Sequence, residues 1–338
     1  MKLPQSEVKK IAVFRALQLG DMLCSIPAIR ALRNAYPQAH ITLIGLPWAK
    51  TLTERFPNYF NTFHFFPGYP GLPEQSFQPK AFTTFLMQIQ QENYDLILQM
   101  QGNGCITNPL VALLNGRHTA GFYLETNYCP DEELYIEYPA RSHEIERHIR
   151  LMNFLGIPSC GVELEFPLLD KDFEALEEQQ FPIEYKRYVC VHPGSRSAAR
   201  QWPTRYFAAA ADFCAAQGLQ VVLTGTKEEL PLVNQVAQYM KSTPIIAAGK
   251  TSIGAVGALI KNAAVLVSNC TGVSHIAAAV KTPSVVISLD GEAYRWAPLD
   301  KELHRDIDWT QTSDFDIVLE QLKSLLQAQK QKHQASAY

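Results

Sequence analysis

The 338-residue chain has no CxxC pair; its seven cysteines, at positions 24, 105, 129, 160, 190, 214 and 270, are scattered and odd in number. That pattern excludes a zinc knuckle and a disulfide framework, and it points to a reducing compartment, the cytoplasm. No apolar stretch is long enough to span a bilayer: the longest, 245–267, is interrupted by Lys250 and Lys261. Any membrane contact is therefore expected to be peripheral. Lys9-Lys10 is followed by only Ile11-Ala12-Val13-Phe14 before Arg15, too short a run for the core of a secretory signal. A basic excess is also missing, since 30 Lys and Arg stand against 33 Asp and Glu. The net charge of −3 lacks the cationic surplus that neutralises nucleic-acid phosphates, so no nucleic-acid partner is expected.

Three tempting motifs are incomplete. His143 and His148 are five residues apart, roughly 140° around a helix, so they do not share the face a zinc helix needs. Gly102-Asn103-Gly104 would need its third fingerprint glycine at position 107, where Thr107 stands, which argues against dinucleotide binding. Asp314-Phe315-Asp316 has the form of a metal-binding DxD but opens the last helical segment, where it reads as helix capping. No metal and no cofactor are expected.

The length exceeds one ordinary core and fits two domains of about 150 residues each. Short β-rich runs alternate with helix-patterned segments twice along the chain, first from 11 to 101 and again from 188 to 289. This is the pattern of βαβ units and mostly parallel sheets. The predicted fold class is α/β: two Rossmann-like, doubly wound domains facing each other across a cleft. Residues 1–175 form the expected first domain and 176–312 the expected second. Residues 313–338 read as a closing amphipathic helix with a polar tail, packing back toward the first domain. The Pro- and Gly-rich stretch 67–79 reads as a long loop.

In open parallel sheets ligands bind beyond the carboxyl ends of the strands, and four loops there carry suitable residues. Gly20-Asp21 follows the first strand; Asp21 either faces the crevice or caps the next helix. His192-Pro193-Gly194-Ser195-Arg196, continuing to Arg200, sets Ser195 and two guanidinium groups after a strand, the chemistry of a phosphate site, although either arginine alone would read as a solvated surface residue. In Asn269-Cys270-Thr271-Gly272-Val273-Ser274-His275, small side chains and the amides of a helix start favour an anion, and Val273 and His275 lie in the same first turn. Thr224-Gly225 precedes Glu228, which either accepts from ribose hydroxyls or is an acid suited to the helix dipole.

These residues resemble glycosyltransferase family 9, the heptosyltransferases of lipopolysaccharide core assembly. The resemblance runs from about residue 10 to 300 and rests on Gly20-Asp21, Pro27-Ala28-Ile29-Arg30-Ala31-Leu32, Gln101-Gly102, and His143, Arg147 and Leu155-Gly156. In the second half it rests on His192-Pro193-Gly194-Ser195, Trp202-Pro203, Thr271-Gly272 with His275, and Trp296-Ala297-Pro298. It implies a GT-B fold and an inverting, metal-independent transfer with Asp21 as general base. Gly20, Gln101 and Gly102 would lie on the acceptor side. The donor, ADP-heptose by family habit, would sit in the second, nucleotide-sugar-binding domain, held by Ser195, Arg200, Thr271, Gly272 and His275 with Arg196 of the same loop nearby, and the acceptor, a glycan or lipid-linked glycan, on the first, acceptor-binding domain. Arg30, Arg33, Lys50 and Arg55 are candidates for a peripheral contact with the cytoplasmic face of the inner membrane, and otherwise read as a solvated surface. This chain departs from the family at Cys270, where relatives usually carry aspartate, and at Gln99-Met100, where they carry an acid. Those departures motivate a second expectation, a degenerate member that binds nucleotide or glycan without catalysis.

Overall fold

The computed structural model describes residues 1–335 and divides into two compact units, Met1–Leu164 and Glu165–Tyr338. In the first unit β1 (Lys10–Phe14), β2 (His40–Gly45), β3 (Thr62–Phe65), β4 (Leu96–Gln99), β5 (His118–Tyr123) and β6 (Tyr135–Glu137) form one sheet in the order β3-β2-β1-β4-β5-β6. Its pairs are all parallel; Val13 of β1 lies beside Leu43 on one side and Leu98 on the other. Helices α1 (Leu19–Ala35), α2 (Ala49–Arg55), α3 (Pro79–Gln91), α4 (Thr107–Leu113) and α5 (Glu144–Phe154) make the crossovers and the return. Because helices cover both faces, the central strands are continuous apolar runs rather than alternating ones, as in Ile11, Ala12, Val13 and Phe14, all without solvent exposure.

The second unit begins with α6 (Asp170–Glu177) and repeats the design. Strands β7 (Tyr188–His192), β8 (Gln220–Leu223), β9 (Ile245–Ile246), β10 (Val265–Asn269), β11 (Ser284–Ser288) and β12 (His304–Asp308) pair in the order β12-β11-β10-β7-β8-β9. Read from the opposite edge this is the same winding as the first sheet. In both, the chain reverses direction across the sheet between its first and fourth strands, β1 and β4 or β7 and β10, and there the crevice of a doubly wound sheet opens. The helices are α7 (Thr204–Ala216), α8 (Leu230–Tyr239), α9 (Ile253–Asn262), α10 (Gly272–Ala279), α11 (Ala293–Trp296) and α12 (Phe315–Ala335).

Two boundaries differ from the sequence-based expectation. The division falls after residue 164 instead of 175 because α6 packs on α9 and the Phe166 ring lies where a Cβ on Gly257 would sit, all inside the second unit. The closing helix also belongs there: Val318, Leu322, Leu325 and Leu326 of α12 complete the core around β7, β10 and β11. Its Phe315 stacks on Trp202 with ring centroids 5.8 Å apart. The apolar stripe of this helix is thus spent on the second sheet. The helix reaches Ala335, and positions 336–338 of the polar tail lie outside the described residues.

Candidate functional site

At the second switch point the 193–203 loop is held by one side chain. Asn269, the last residue of β10 and fully buried, accepts the Trp202 amide through Oδ1 at 2.9 Å. Its Nδ2 donates to the Pro193 and Gly194 carbonyls at 2.7 and 3.2 Å. Gln201 Nε2 ties the same loop to the Ser195 carbonyl at 2.9 Å. Ser195 is buried within this cradle, whereas Arg196 and Arg200 are exposed. Arg200 Nε lies 2.9 Å from Asp290 Oδ2, with the two side chains 48% and 23% exposed.

Helix α10 starts two residues beyond β10. Its N-cap, Thr271, is extended and gives no side-chain cap; Ser274 satisfies the turn by donating from Oγ to the Thr271 carbonyl at 2.7 Å. The Gly272 and Val273 amides open the helix and have no carbonyl of the helix to bond, so they face the entry of the helix with the positive end of its dipole. His275 is buried in this first turn, edge-on to Trp296 at 6.4 Å. Burial pushes the Cys270 thiol up to about 11, opposed by a Ser288 hydrogen bond and by Arg200, so it is neutral near pH 7. Arg200 pairs with Asp290, which follows β11, the strand beside β10, and so lies at the same end of the sheet as the α10 entry. Ser195, Arg200 and residues 271–275 therefore gather at one end of one sheet.

The β8 loop contributes differently from expectation. Thr224 is fully buried, its Oγ1 3.0 Å from His192 Nδ1. Burial holds the His192 imidazole below its ordinary pKa against the pull of Glu229. Glu228 is exposed, and its own amide and Thr226 hold its carboxyl below the usual range. Its neighbour Glu229 is the acid that turns inward: Oε2 accepts the Thr226 amide at 2.8 Å and lies 4.0 Å from His192 Nε2. Gly194 permits this, since a Cβ there would run into the Glu229 carboxylate, while Gly225 packs against the Glu229 stem. The structure thus brings Thr224, Gly225 and Glu229 to the cradle and leaves Glu228 outside it.

At the first switch point α1 begins at Leu19, so Gly20 and Asp21 lie inside its first turn rather than in a loop before it. Asp21 is half-buried and is not the cap; the N-cap is Gln18, with no side-chain cap bond. Gln101 is buried after β4, its Oε1 accepting the Ala16 amide at 2.7 Å. Gly102 follows it, exposed, at φ +67°, a left-handed turn that glycine adopts without penalty. Gly20, Asp21, Gln101 and Gly102 are therefore joined through the β1 and β4 exits. Beneath them Arg15, wholly buried, donates to the carbonyls of Asp21 and Met100 and to Glu144.

Of the basic residues expected at a membrane, Arg30, Arg33 and Arg55 are engaged or buried within the first unit. Arg30 donates to the Glu163 carbonyl at 3.1 Å, Arg33 to the Ala39 and Tyr59 carbonyls at 2.6 and 3.0 Å, and Arg55 is buried; of the four only Lys50 is exposed. Asp314 Oδ1 accepts the Asp316 amide at 2.9 Å, the capping expected of that DxD. His143 caps α5, its Nδ1 accepting the Ile145 amide at 3.2 Å.

Sequence reasoning missed Asn269, Glu229, Asp290, Arg15 and Glu144 as members of these clusters. Asn269 and Glu229 adjoin the residues singled out and carried the same polar signal. Arg15 and Glu144 are 129 positions apart, and nothing local announces their pairing.

The model of glycosyltransferase family 9 (heptosyltransferase) matches residues 83–307. Lipopolysaccharide heptosyltransferase 3 of Escherichia coli is 25% identical over 252 residues, covering 72% of this chain and 73% of that protein. Among solved structures, a glycosyltransferase family 9 protein from Veillonella parvula superposes with TM-score 0.79 at 18% identity, over 97% of this chain and 100% of the other. The ADP-heptose lipopolysaccharide heptosyltransferase II of E. coli superposes with TM-score 0.74 at 20% identity, over 95% and 99%. These likenesses identify the paired sheets as a GT-B fold.

Proposed function

The chain belongs to glycosyltransferase family 9 and is a glycosyltransferase, and from that premise we propose that it transfers a heptose from ADP-heptose to a hydroxyl of a lipopolysaccharide-core glycan, with inversion and without a metal. The observation that carries this reading is the cradle at the β7/β10 switch point, where Arg200, Ser195 and the α10 entry gather at a loop that Asn269 latches through the Trp202 amide and the Pro193 and Gly194 carbonyls. Such a site suits a diphosphate: guanidinium groups and helix-start amides are donors that need no reorganisation as charge develops.

In this reading Asp21 accepts the proton of the acceptor hydroxyl as its oxygen attacks the anomeric carbon from the face opposite the nucleotide. The anomeric carbon's bond to the diphosphate oxygen breaks, and the electron pair leaves with ADP. Arg196, Arg200, His275 and the Gly272 and Val273 amides stabilise the departing charge, and Thr271 and Ser274 shape the turn that presents those amides. Thr224 and Gly225 back the cradle, and Glu229, turned inward where Glu228 is exposed, would accept from ribose hydroxyls. Gly20, Gln101 and Gly102 border the acceptor. The enzyme would work in the cytoplasm on a glycan carried at the inner membrane.

The test is ADP release from ADP-heptose in the presence of lipopolysaccharide-core acceptor, for wild type and Asp21→Ala. Loss of a general base is expected to lower kcat by about 10²–10⁴-fold with donor affinity kept. Equal rates in the two proteins would remove Asp21 from the chemistry, and failure to turn over ADP-heptose while another nucleotide sugar is consumed would replace the donor.

A further inference from the structure

Helix α1 has no side-chain cap at Gln18, yet its first turn carries Asp21, whose carboxylate must be placed to within a fraction of an ångström for proton transfer. What holds that turn is Arg15, the first residue after β1. Its Nε and Nη2 both donate to the Asp21 carbonyl, at 3.0 and 2.7 Å. Nη1 donates to the Met100 carbonyl at the exit of β4, and Nη2 also reaches Glu144 Oε1 at 3.1 Å. One planar, wholly buried fork thus pins the turn that carries Asp21 to the strand exit that leads into Gln101 and Gly102.

The fork is itself fixed from behind. Glu144, first residue of α5 and buried, shares its carboxylate among Arg15, Arg147 and His148 Nε2, the last at 3.2 Å. Burial would raise the Glu144 carboxyl, but the His148 hydrogen bond and the charges of Arg15 and Arg147 outweigh it and hold the carboxyl well below the usual range. Arg147 is anchored in turn against the Tyr138 ring at 4.4 Å and by the Pro139 and Ser142 carbonyls at 3.3 Å each. Burying such a set costs desolvation that an apolar cluster of equal volume would avoid; what the ionic set adds is a fixed direction for the Arg15 donors.

We propose that Arg15 is a positioning residue for the transfer reaction, holding the backbone of Asp21 in register with the acceptor-side loop, and that Glu144 sets the orientation of Arg15. This rests on the reading of Asp21 as general base. Lysine at position 15 would keep the charge but would lose the planar fork that serves two carbonyls and a carboxylate together.

The experiment is a double-mutant cycle on the full-length chain, with Arg15→Lys in wild-type and Asp21→Ala backgrounds, following kcat, donor KM, thermal unfolding and hydrogen exchange of the amides of residues 22–26. In the wild-type background Arg15→Lys is expected to lower kcat about 10–100-fold with donor KM changed less than about twofold. Exchange in the first turn of α1 should be faster. In the Asp21→Ala background the same change should alter the residual rate by less than about threefold, since a misplaced base cannot be lost twice. Glu144→Gln, which keeps acceptor atoms for Arg15, serves if Arg15→Lys does not fold, with an expected loss of about 3–10-fold and the same background dependence. An Asp21→Ala enzyme with wild-type kcat overturns the base reading and the positioning role with it. If Asp21→Ala is slow but the losses multiply across the cycle, or exchange in 22–26 is unchanged, the base stands and the positioning role falls.

Discussion

Acidification should destabilise this protein well before its carboxylates titrate, through two buried histidines. His148 is 1% and His304 2% exposed. Burial, helped by Arg15 and opposed by Glu144, depresses the His148 imidazole to about 4; burial also brings His304 to about 4, against the pull of Asp300. Each is neutral in the fold and would have a pKa of about 6.5 in the unfolded chain. Between these values the unfolded state binds more protons, so stability is complete above pH 6.5 and falls as the pH drops toward 4. At pH 5 each histidine removes about 2 kcal/mol, or about 4 kcal/mol together, from a total that for most proteins is only about 5–15 kcal/mol. Glu144, held ionised, adds its own loss only below the ordinary carboxylate range. The assay is equilibrium urea unfolding at pH 7 and pH 5 for wild type and His148→Gln, whose amide can still donate to Glu144. The difference between the two pH values should shrink by about 2 kcal/mol in the variant. A wild type equally stable at both values, or a variant that keeps the full difference, would refute the assignment of a neutral, buried imidazole.

Gly194→Ala places a methyl against the Glu229 carboxylate and should push that acid away from His192. About a tenfold loss of ADP affinity is expected, with at most about 1–3 kcal/mol off the stability, measured by calorimetric titration and thermal unfolding. Asn269→Ala leaves the Trp202 amide and the Pro193 and Gly194 carbonyls without their partner. It should cost about 2–5 kcal/mol in urea unfolding; a cost below about 1 kcal/mol would show that the loop does not depend on that latch. Asp290→Asn removes the carboxylate that competes for Arg200. Because the pair is partly exposed, the gain in ADP affinity should be no more than about fivefold, and salt should erase it; weaker binding would mean that Asp290 helps the cradle instead.

The apolar runs of β1, β2, β7, β10 and β11 announced themselves because both faces of each strand are buried, and with them the two-sheet α/β architecture was readable. The edges were not. His118–Tyr123, Tyr135–Glu137 and His304–Asp308 are short or polar, as strands are at or near the rim of a sheet, and no run of apolar residues marks them. At the candidate site the loops were legible because glycine, serine and arginine after a strand have few structural uses. Which of two adjacent acids turns inward was not legible: Glu228 and Glu229 both precede α8, and only the close approach permitted by Gly194 selects Glu229. Arg15 looked like the residue that ends an apolar run; its buried partner comes from α5, brought near by the packing of α1 on α5.

The two sheets share one strand order, so their different tasks must come from the connections that leave the strands at each switch point. In the second unit β10 ends at Asn269 and α10 begins at Gly272. With Cys270 and Thr271 alone between them, the helix amides and dipole sit against the strand ends, an arrangement that would favour an anion. The partner connection, from His192 to Thr204, is long enough to fold a side-chain cradle beside that helix entry. In the first unit the lengths are exchanged: α1 follows β1 closely, from Phe14 to Leu19, while β4 leads through an open loop from Gln99 to Thr107. The close helix there carries an acid in its first turn, which repels an anion and suits a proton acceptor. A diphosphate is therefore expected on the second unit and a neutral hydroxyl on the first. Exchanging Asp21 for asparagine should leave ADP affinity unchanged while Arg200→Ala lowers it, and the reverse pattern would place the anion on the wrong sheet.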